Sequence, residues 1–162
     1  MHRTIKEYLE NNSDIDSKDI PIIRRVNGKP TIESPPYISL SHSRNITVCI
    51  VAFRPVGIDV QFMKQLNYVQ MSKRYFSNII KDEIEFYKYW TAAEAKAKCT
   101  DEFLPKVLKN GNFDDCKRLD FIDNYVLTIC TKDDSSTIFF NMDENKYLDP
   151  NMPFSSQSSL MR

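Results

Sequence analysis

A carboxylate and an amide share one face of a predicted strand in the segment VGIDVQ, residues 56–61. Because side chains alternate along a strand, Asp59 and Gln61 lie on the face opposite the three apolar residues. Gly57 would let a ligand or another backbone approach that face closely. Two interpretations are open, namely a solvent-facing strand surface, which this segment alone favours, and a ligand site.

The segment WTAAEAKAK, residues 90–98, places a carboxylate beside an ammonium group on a predicted helix. Trp90, Glu94 and Lys98 are four residues apart, so they lie along one stripe of the helix. An ion pair of this spacing on a solvated helix contributes only about 0.3–0.5 kcal/mol and needs no function to explain it. Since tryptophan is costly to expose, the stripe is predicted to border a packed or ligand-lined surface.

A third polar group ends the predicted strand ISLSHS, residues 38–43. Ser41 and His42 stand beside a turn that carries Arg44, and hydroxyl, imidazole and guanidinium groups together suit an anionic ligand. A lone histidine is more often structural. No nucleophile elbow marks a Ser-His-Asp triad.

The elements that must position these residues are three strands and one long helix. Strand signals occur in YISLSHS, ITVCIVAF and VGIDVQ. The second, at residues 46–53, is apolar on both faces and is predicted to be the centre of the sheet. The helix is predicted over residues 81–98, with an inward stripe of Ile80, Ile84, Tyr87 and Thr91.

The remaining elements are predicted more coarsely. The patterns indicate a short amphipathic helix at residues 3–10, a turn at Asn27-Gly28, and a helical stretch leading into KRYFS. A connector containing Pro105 and Gly111 precedes two or three antiparallel strands, with turns at residues 123–124 and 133–134. The Pro- and Ser-rich residues 151–162 are predicted to be disordered.

Composition limits the classes of protein to consider. The 162 residues, 41% of them hydrophobic, fit one domain or two small halves that share a core. Basic and acidic residues both number 22, so no overall field favours nucleic acid or an anionic membrane. The charged N-terminus lacks a signal-peptide pattern, and no run of about 20 apolar residues predicts a membrane span. We therefore expect a cytoplasmic protein.

Four cysteines have no metal-site spacing in the sequence: Cys49, Cys99, Cys116 and Cys130. There is no CxxC motif, and only two histidines are present. Buried free thiols are therefore predicted in preference to a structural zinc site.

Taken in order, the segments HRT, NGKP, ISLSHS, VGIDVQ, KRYFS and YWTAAEAKAK resemble the signature of 4'-phosphopantetheinyl transferases of the surfactin-synthetase type, over residues 2–98. The resemblance implies an α+β fold in which an antiparallel sheet packs on a long helix, within a pseudo-twofold arrangement of two halves. Residues 1–55 would be a partial N-terminal half with adenine- and phosphate-binding segments. Residues 56–150 would be the C-terminal half with the metal site.

The same resemblance implies an activity and a set of site residues. Such enzymes move the phosphopantetheine arm of coenzyme A to a serine of an acyl or peptidyl carrier protein, with Mg²⁺, and release adenosine 3',5'-bisphosphate. Glu94 would accept the serine proton, and Lys98 would neutralise the pyrophosphate. The implied metal residues are Asp59, Gln61 and Glu94, and the implied coenzyme A residues are Thr4, Lys29, Pro30, Ser41, His42 and Lys98.

This sequence departs from the family pattern at three places. Ala93 stands where the helix motif commonly has a lysine, which Lys96 cannot simply replace, and Gln61 stands where the strand motif often has a second acid. The chain also begins inside what resembles the family's first helix, so self-association to a homo-oligomer, a rearrangement or a partner is expected to cover the exposed sheet edge.

Three functions therefore stay open. They are a transferase, a diverged protein that binds coenzyme A or a carrier with little catalysis, and a metal-dependent enzyme for another nucleotide. An acidic carrier protein is predicted to dock on a mixed basic and apolar surface, unless that surface is only a solvated helix face. Its residues are Lys64, Met71, Lys73, Arg74 and Phe76.

Overall fold

The computed structural model describes residues 23–24, 30–31, 35–76, 80–119, 122–131, 139–141 and 146–148. The elements in chain order are β1 Ile23–Arg24, β2 Pro30–Thr31, β3 Tyr37–Ser43, β4 Ile46–Ala52, β5 Val56–Phe62, α1 Tyr68–Tyr75, α2 Glu83–Thr100, α3 Leu104–Asn110, β6 Cys116–Leu119, β7 Tyr125–Thr131, β8 Phe139–Asn141 and β9 Lys146–Leu148. The predictions for residues 3–10, 27–28, 133–134 and 151–162 lie outside the described residues.

The described strands pair in antiparallel fashion, and the chain is a mixed α+β protein. β3 and β4 form a hairpin that turns at Arg44, whose φ is 54°. A three-stranded sheet has the order β5-β7-β6, and β6 and β7 are joined by a turn at Asn124, where φ is 64°. All three predicted strand segments between residues 37 and 62 are confirmed, as is the turn at residues 123–124.

Serine side chains join the β3–β4 hairpin to β5. The hydroxyl oxygens of Ser39, Ser41 and Ser43 accept backbone N–H groups of Ile58, Val60 and Phe62 at 3.1, 3.3 and 2.9 Å, respectively. These N–H groups point away from β7, so each would otherwise need water or another acceptor. The alternating serines of ISLSHS therefore satisfy the outer edge of β5.

The prediction that β4 is the central strand is wrong. Within the described part of the chain, β4 pairs with β3 on one side, and Thr47 is exposed. Only Ile50 and Val51 are fully buried in it. β7 is the central strand of the three-stranded sheet, since it pairs with both β5 and β6. Apolar residues on both faces of a strand indicate that both faces are covered, but they do not identify the strands that pair with it.

The long helix α2 begins two residues after its predicted start and ends two residues after its predicted end. Asp82 caps its N-terminus, because the Asp82 carboxylate accepts the backbone N–H of Glu85 at 2.7 Å. The predicted inward stripe is wrong at Ile84, which is 51% exposed. Phe86 is buried in that turn, and two residues span about 200° of helix, so Ile84 faces the opposite way.

Gly57 allows α2 to pack directly on β5. A Cβ atom at this position would lie 1.9 Å from the carbonyl oxygen of Ala95. The predicted close approach of another backbone is confirmed, and that backbone belongs to α2. The strand face that carries Asp59 is therefore covered by a helix, and its interpretation as a solvent-facing surface is wrong.

Aromatic side chains fill the core between α1, α2 and α3. Phe76 is 9% exposed and packs edge-on against Phe86 and Tyr89, with ring centroids 5.7 and 5.8 Å apart. The prediction of Phe76 as a docking residue is wrong for this reason. Among the helices described here, none has the length and apolar character required to cross a membrane.

Candidate functional site

An ion pair joins the end of α2 to the middle of β5. The Lys98 ammonium donates to the Asp59 carboxylate at 2.8 Å and to the backbone carbonyl of Ile58 at 2.9 Å. The side chain of Asp59 is 3% exposed and that of Lys98 is 19% exposed. The packing that Gly57 permits therefore brings together two residues that are 39 positions apart in the sequence.

Two further donors orient the Asp59 carboxylate. The Ser41 hydroxyl donates to Oδ1 at 2.6 Å, and the Gln61 amide donates to Oδ2 at 3.3 Å. The predicted pair of polar residues on one strand face thus makes a direct contact. Because a carboxylate has about four lone-pair positions, three donors leave room for another ligand.

Glu94 lies one helical turn before Lys98 and shares its electrostatic environment. Burial raises the pKa of the Glu94 carboxyl above its ordinary value, and the negative charge of Asp59 raises it further, whereas Lys98 lowers it. Within residues 35–76, 80–119 and 122–131, no group donates a hydrogen bond to this half-buried carboxylate. An added positive charge would stabilise its ionised form.

The donor set at Asp59 and Glu94 fits a hard divalent cation. Two carboxylates face one ammonium, so one negative charge is not balanced within the trio. Magnesium prefers oxygen ligands and takes few of them from protein side chains. Gln61 turns its amide nitrogen toward Asp59, and a half-turn of the amide would present its oxygen instead.

The structure separates Ser41 from His42. The Ser41 hydroxyl is buried between Asp59 and the backbone of Val60, whereas His42 is exposed on the opposite face of β3. Arg44 lies over the ring of Phe62, with 3.3 Å between the guanidinium carbon and the ring centroid. The sequence could not show that the Ser41 hydroxyl donates to the Asp59 carboxylate, because the two residues are 18 positions apart.

The other predicted coenzyme A residues are described only in part. Thr4 and Lys29 lie outside the described residues. Pro30 is the first residue of β2, of which the backbone is described. Their roles stay predictions.

Ala93 and Lys96 mark the departure from the family helix motif, and both make contacts away from the Asp59 carboxylate. Ala93 is fully buried in the cluster that contains Phe86 and Leu108. Lys96 donates to the Asp115 carboxylate at 2.8 Å. Neither residue contributes a charge to the Asp59 carboxylate, whose ion pair is with Lys98.

A cavity of about 390 Å³ opens beside Gln61. Trp90 lines it and stacks on Phe86 with centroids 5.9 Å apart, so the prediction of a packed surface at Trp90 is confirmed. Lys64 and Met71, two of the predicted docking residues, also line it. The residues that sequence reasoning missed are Ser43, Phe62, Leu66, Phe86 and Tyr87, although an aromatic cluster at residues 86–90 was a usable signal.

Comparison with curated proteins finds three relatives that share one description. HetI of Nostoc sp. (strain PCC 7120), a 4'-phosphopantetheinyl transferase, is 30% identical over 106 residues, which cover 58% of this chain and 43% of HetI. Sfp of Bacillus subtilis is 28% identical over 115 residues, or 60% of this chain and 51% of Sfp. The protein gsp of Aneurinibacillus migulanus is 24% identical over 104 residues, or 58% and 44% of the two chains.

These matches confirm the resemblance to 4'-phosphopantetheinyl transferases that the motifs indicate. The chain spans about half the length of the curated relatives it matches. No family model matches the sequence.

Proposed function

We propose that this chain transfers the 4'-phosphopantetheine arm of coenzyme A to a serine of an acyl or peptidyl carrier protein. The reaction depends on magnesium and releases adenosine 3',5'-bisphosphate. The observation that carries the proposal is the placement of Lys98 and Glu94, both on α2, against the buried Asp59 of β5. The similarity to three curated 4'-phosphopantetheinyl transferases supports it.

The chemistry requires one proton acceptor and stabilisation of developing negative charge. The serine oxygen forms a bond to the phosphorus that bears the pantetheine arm, and the bond from that phosphorus to the bridging pyrophosphate oxygen breaks. Its electron pair leaves with adenosine 3',5'-bisphosphate. Glu94, whose pKa is raised by burial, accepts the serine proton directly or through water.

Lys98 and Asp59 have complementary roles in the proposal. The Lys98 ammonium is held near the site by the carbonyl of Ile58 and can shift from Asp59 to a phosphate oxygen as charge builds there. Asp59 and Glu94, with the Gln61 oxygen after an amide half-turn, would hold the ion. When bound, magnesium would act as a Lewis acid on the pyrophosphate.

The proposed site extends beyond the part that β5 and α2 supply. We assign residues 1–55 to an adenine- and phosphate-binding half and residues 56–150 to the half with the metal site. The matches cover about half of each relative. The active site would also use a protein surface outside β5 and α2, which a second copy of this chain could supply. All four cysteines carry reduced thiols, which are typical of a reducing compartment and support a cytoplasmic location.

The proposal is tested by intact-mass measurement of a panel of apo carrier proteins. Each is incubated with coenzyme A, Mg²⁺ and this protein, and a parallel reaction contains a chelator. We expect one phosphopantetheine mass increment on a serine, with equal release of adenosine 3',5'-bisphosphate, and no increment with the chelator.

A negative result distinguishes between the alternative functions. If no carrier gains mass while calorimetry shows that coenzyme A binds, the protein is a coenzyme A binding module and the transferase proposal is wrong. If coenzyme A does not bind either, the site serves another ligand.

A further inference from the structure

Three cysteine side chains meet where α2 packs on the edge of the three-stranded sheet. Cys99 of α2, Cys116 of β6 and Cys130 of β7 pack together around Ala95. The sulfurs of Cys116 and Cys130 lie within 4.8 Å of each other. Their separation in the sequence hides this cluster, because each comes from a different element.

Cys116 and Cys130 face each other directly across two strands. They are register partners, and the backbone N–H of Thr131 donates to the carbonyl of Asp115 at 3.2 Å. That bond identifies the cysteines as a non-hydrogen-bonded pair, the antiparallel position at which opposite side chains approach most closely. The fold therefore presents two thiols as a pair.

The Asp115 side chain places a carboxylate oxygen near the two sulfurs. One oxygen of its carboxylate and the sulfurs of Cys116 and Cys130 all lie within 4.8 Å of one another. Asp115 and Cys116 are half-buried, whereas Cys130 is fully buried. Such a set has an open side from which an ion can enter and an apolar side that excludes water.

We propose that Asp115, Cys116 and Cys130 bind one thiophilic divalent ion of the zinc class. Zinc takes thiolate sulfur and carboxylate oxygen in tetrahedral sites, and three protein ligands leave the fourth position to water. The separation of the ligand atoms by up to 4.8 Å needs only a small contraction around the ion. This site is distinct from the proposed magnesium site, which has oxygen ligands.

The Lys96 ammonium neutralises the negative charge of Asp115 in this site. Its ammonium donates to the Asp115 carboxylate at 2.8 Å and to the backbone carbonyl of Asn112 at 2.9 Å. The carboxylate is thus already neutralised. A divalent ion that replaces the two thiol protons leaves the net charge of the cluster unchanged, so the half-buried site gains no uncompensated charge.

The direct test is a cobalt titration of the full metal-free chain in the presence of a non-thiol reductant. Tetrahedral Co²⁺ bound to thiolates has an intense charge-transfer absorption, and Zn²⁺ should displace it. We expect one equivalent of Co²⁺ per chain. Cys116→Ser and Cys130→Ser should each lose the absorption. Asp115→Asn should weaken binding by more than the about 10–100-fold that follows loss of a group supporting a ligand, because Asp115 is itself a ligand in the proposal.

Cys49→Ser is the matched control, because Cys49 lies on β4 and outside the cluster. It should bind Co²⁺ as the wild type does. A second measurement uses the wild type alone, so that it does not depend on the folding of a variant. Zn²⁺ should protect the half-buried Cys116 from alkylation, read by peptide mass, and should leave the alkylation of Cys49 unchanged.

Three results would overturn the proposal. They are an absence of charge-transfer absorption in the wild type, absorption that persists in the Cys116→Ser/Cys130→Ser double variant, and a Cys116–Cys130 disulfide that persists under the reductant. No coenzyme A or carrier is present, so the result is independent of the transfer reaction.

Discussion

At the scale of single residues, three groups donate hydrogen bonds to the Asp59 carboxylate, and the Lys98 ammonium is the charged one. The other two are the neutral groups of Ser41 and Gln61. Lys98→Met would leave a buried carboxylate without its counter-ion. Since Lys98 keeps some solvent contact, we expect a loss of about 3 kcal/mol in the free energy of unfolding, the low end for a buried pair. Urea denaturation measures it.

Lys106→Met is the control for that variant, because Lys106 is exposed and pairs at the surface with Glu102, four residues earlier in the chain. We expect little change in its stability. Equal losses in the two variants would mean that the Asp59–Lys98 pair behaves as a surface pair.

Glu94 should make stability depend on pH in the absence of divalent ions. Its folded-state pKa is raised above the ordinary value of 4.5, so the fold favours the neutral carboxyl. The stability it contributes is present below that ordinary value and is lost as pH rises through the raised pKa. Glu94→Gln should therefore be more stable than the wild type at neutral pH and equal to it below about pH 4.

Urea denaturation of both proteins at several pH values measures this difference. Saturating Mg²⁺ should then stabilise the wild type and leave the variant unchanged, because the variant lacks one carboxylate ligand. A variant that is no more stable at neutral pH would contradict the raised pKa.

At the scale of elements, Gly57 sets the distance between α2 and β5. Gly57→Ala would place a methyl group 1.9 Å from a backbone oxygen, which cannot rotate away. We expect a loss of more than about 3 kcal/mol, beyond ordinary overpacking, because the helix must move away from the strand. Thermal unfolding measures it.

Gly111→Ala provides the comparison, because Gly111 ends α3 with a φ of 65° and makes no comparable contact. Its cost should be limited to backbone strain of about 1–2 kcal/mol. An unchanged melting temperature for Gly57→Ala would show that the close packing of α2 is not required.

The serine connection between β3 and β5 can be tested at a single position. Ser39→Ala would leave the buried N–H of Ile58 without its acceptor, which costs about 1–3 kcal/mol. Ser72→Ala is the matched control. The Ser72 hydroxyl is buried without a hydrogen-bond partner in the described part of the chain, so its removal should be neutral or stabilising. Chemical denaturation that ranks these variants in the opposite order would contradict the account.

The strands and the long helix were predictable because their signals are local, namely alternation, helical spacing and turn residues. The face of β5 that carries Asp59 and Gln61 followed from the same alternation. The order of the strands could not be predicted from local signals, since β4 is apolar enough to suggest a central strand. The contact of Ser41 with Asp59 and the meeting of the cysteines depend on packing between distant segments, which spacing along one element does not encode.

At the scale of the whole molecule, β5 and α2 supply one set of acidic and basic groups, and the matched relatives are about twice as long as the matched region. Lys64 and Met71 line the cavity beside this set, and Lys73 and Arg74 are exposed on α1. The docking of an acidic carrier on this surface, without Phe76, stays a prediction. Completion of the site by a second copy would make activity depend on protein concentration.

The most direct test of the central claim compares carrier modification by four proteins, measured as intact mass in the presence of coenzyme A and Mg²⁺. These are the wild type, Asp59→Asn, Glu94→Gln and the surface-acid control Glu102→Gln. We predict a phosphopantetheine increment with the wild type and Glu102→Gln. We predict a loss of at least about 100-fold in rate with Glu94→Gln, as for removal of a catalytic acid–base group, and a marked loss with Asp59→Asn, which removes a proposed metal ligand. Undiminished transfer by folded Asp59→Asn and Glu94→Gln would contradict the account.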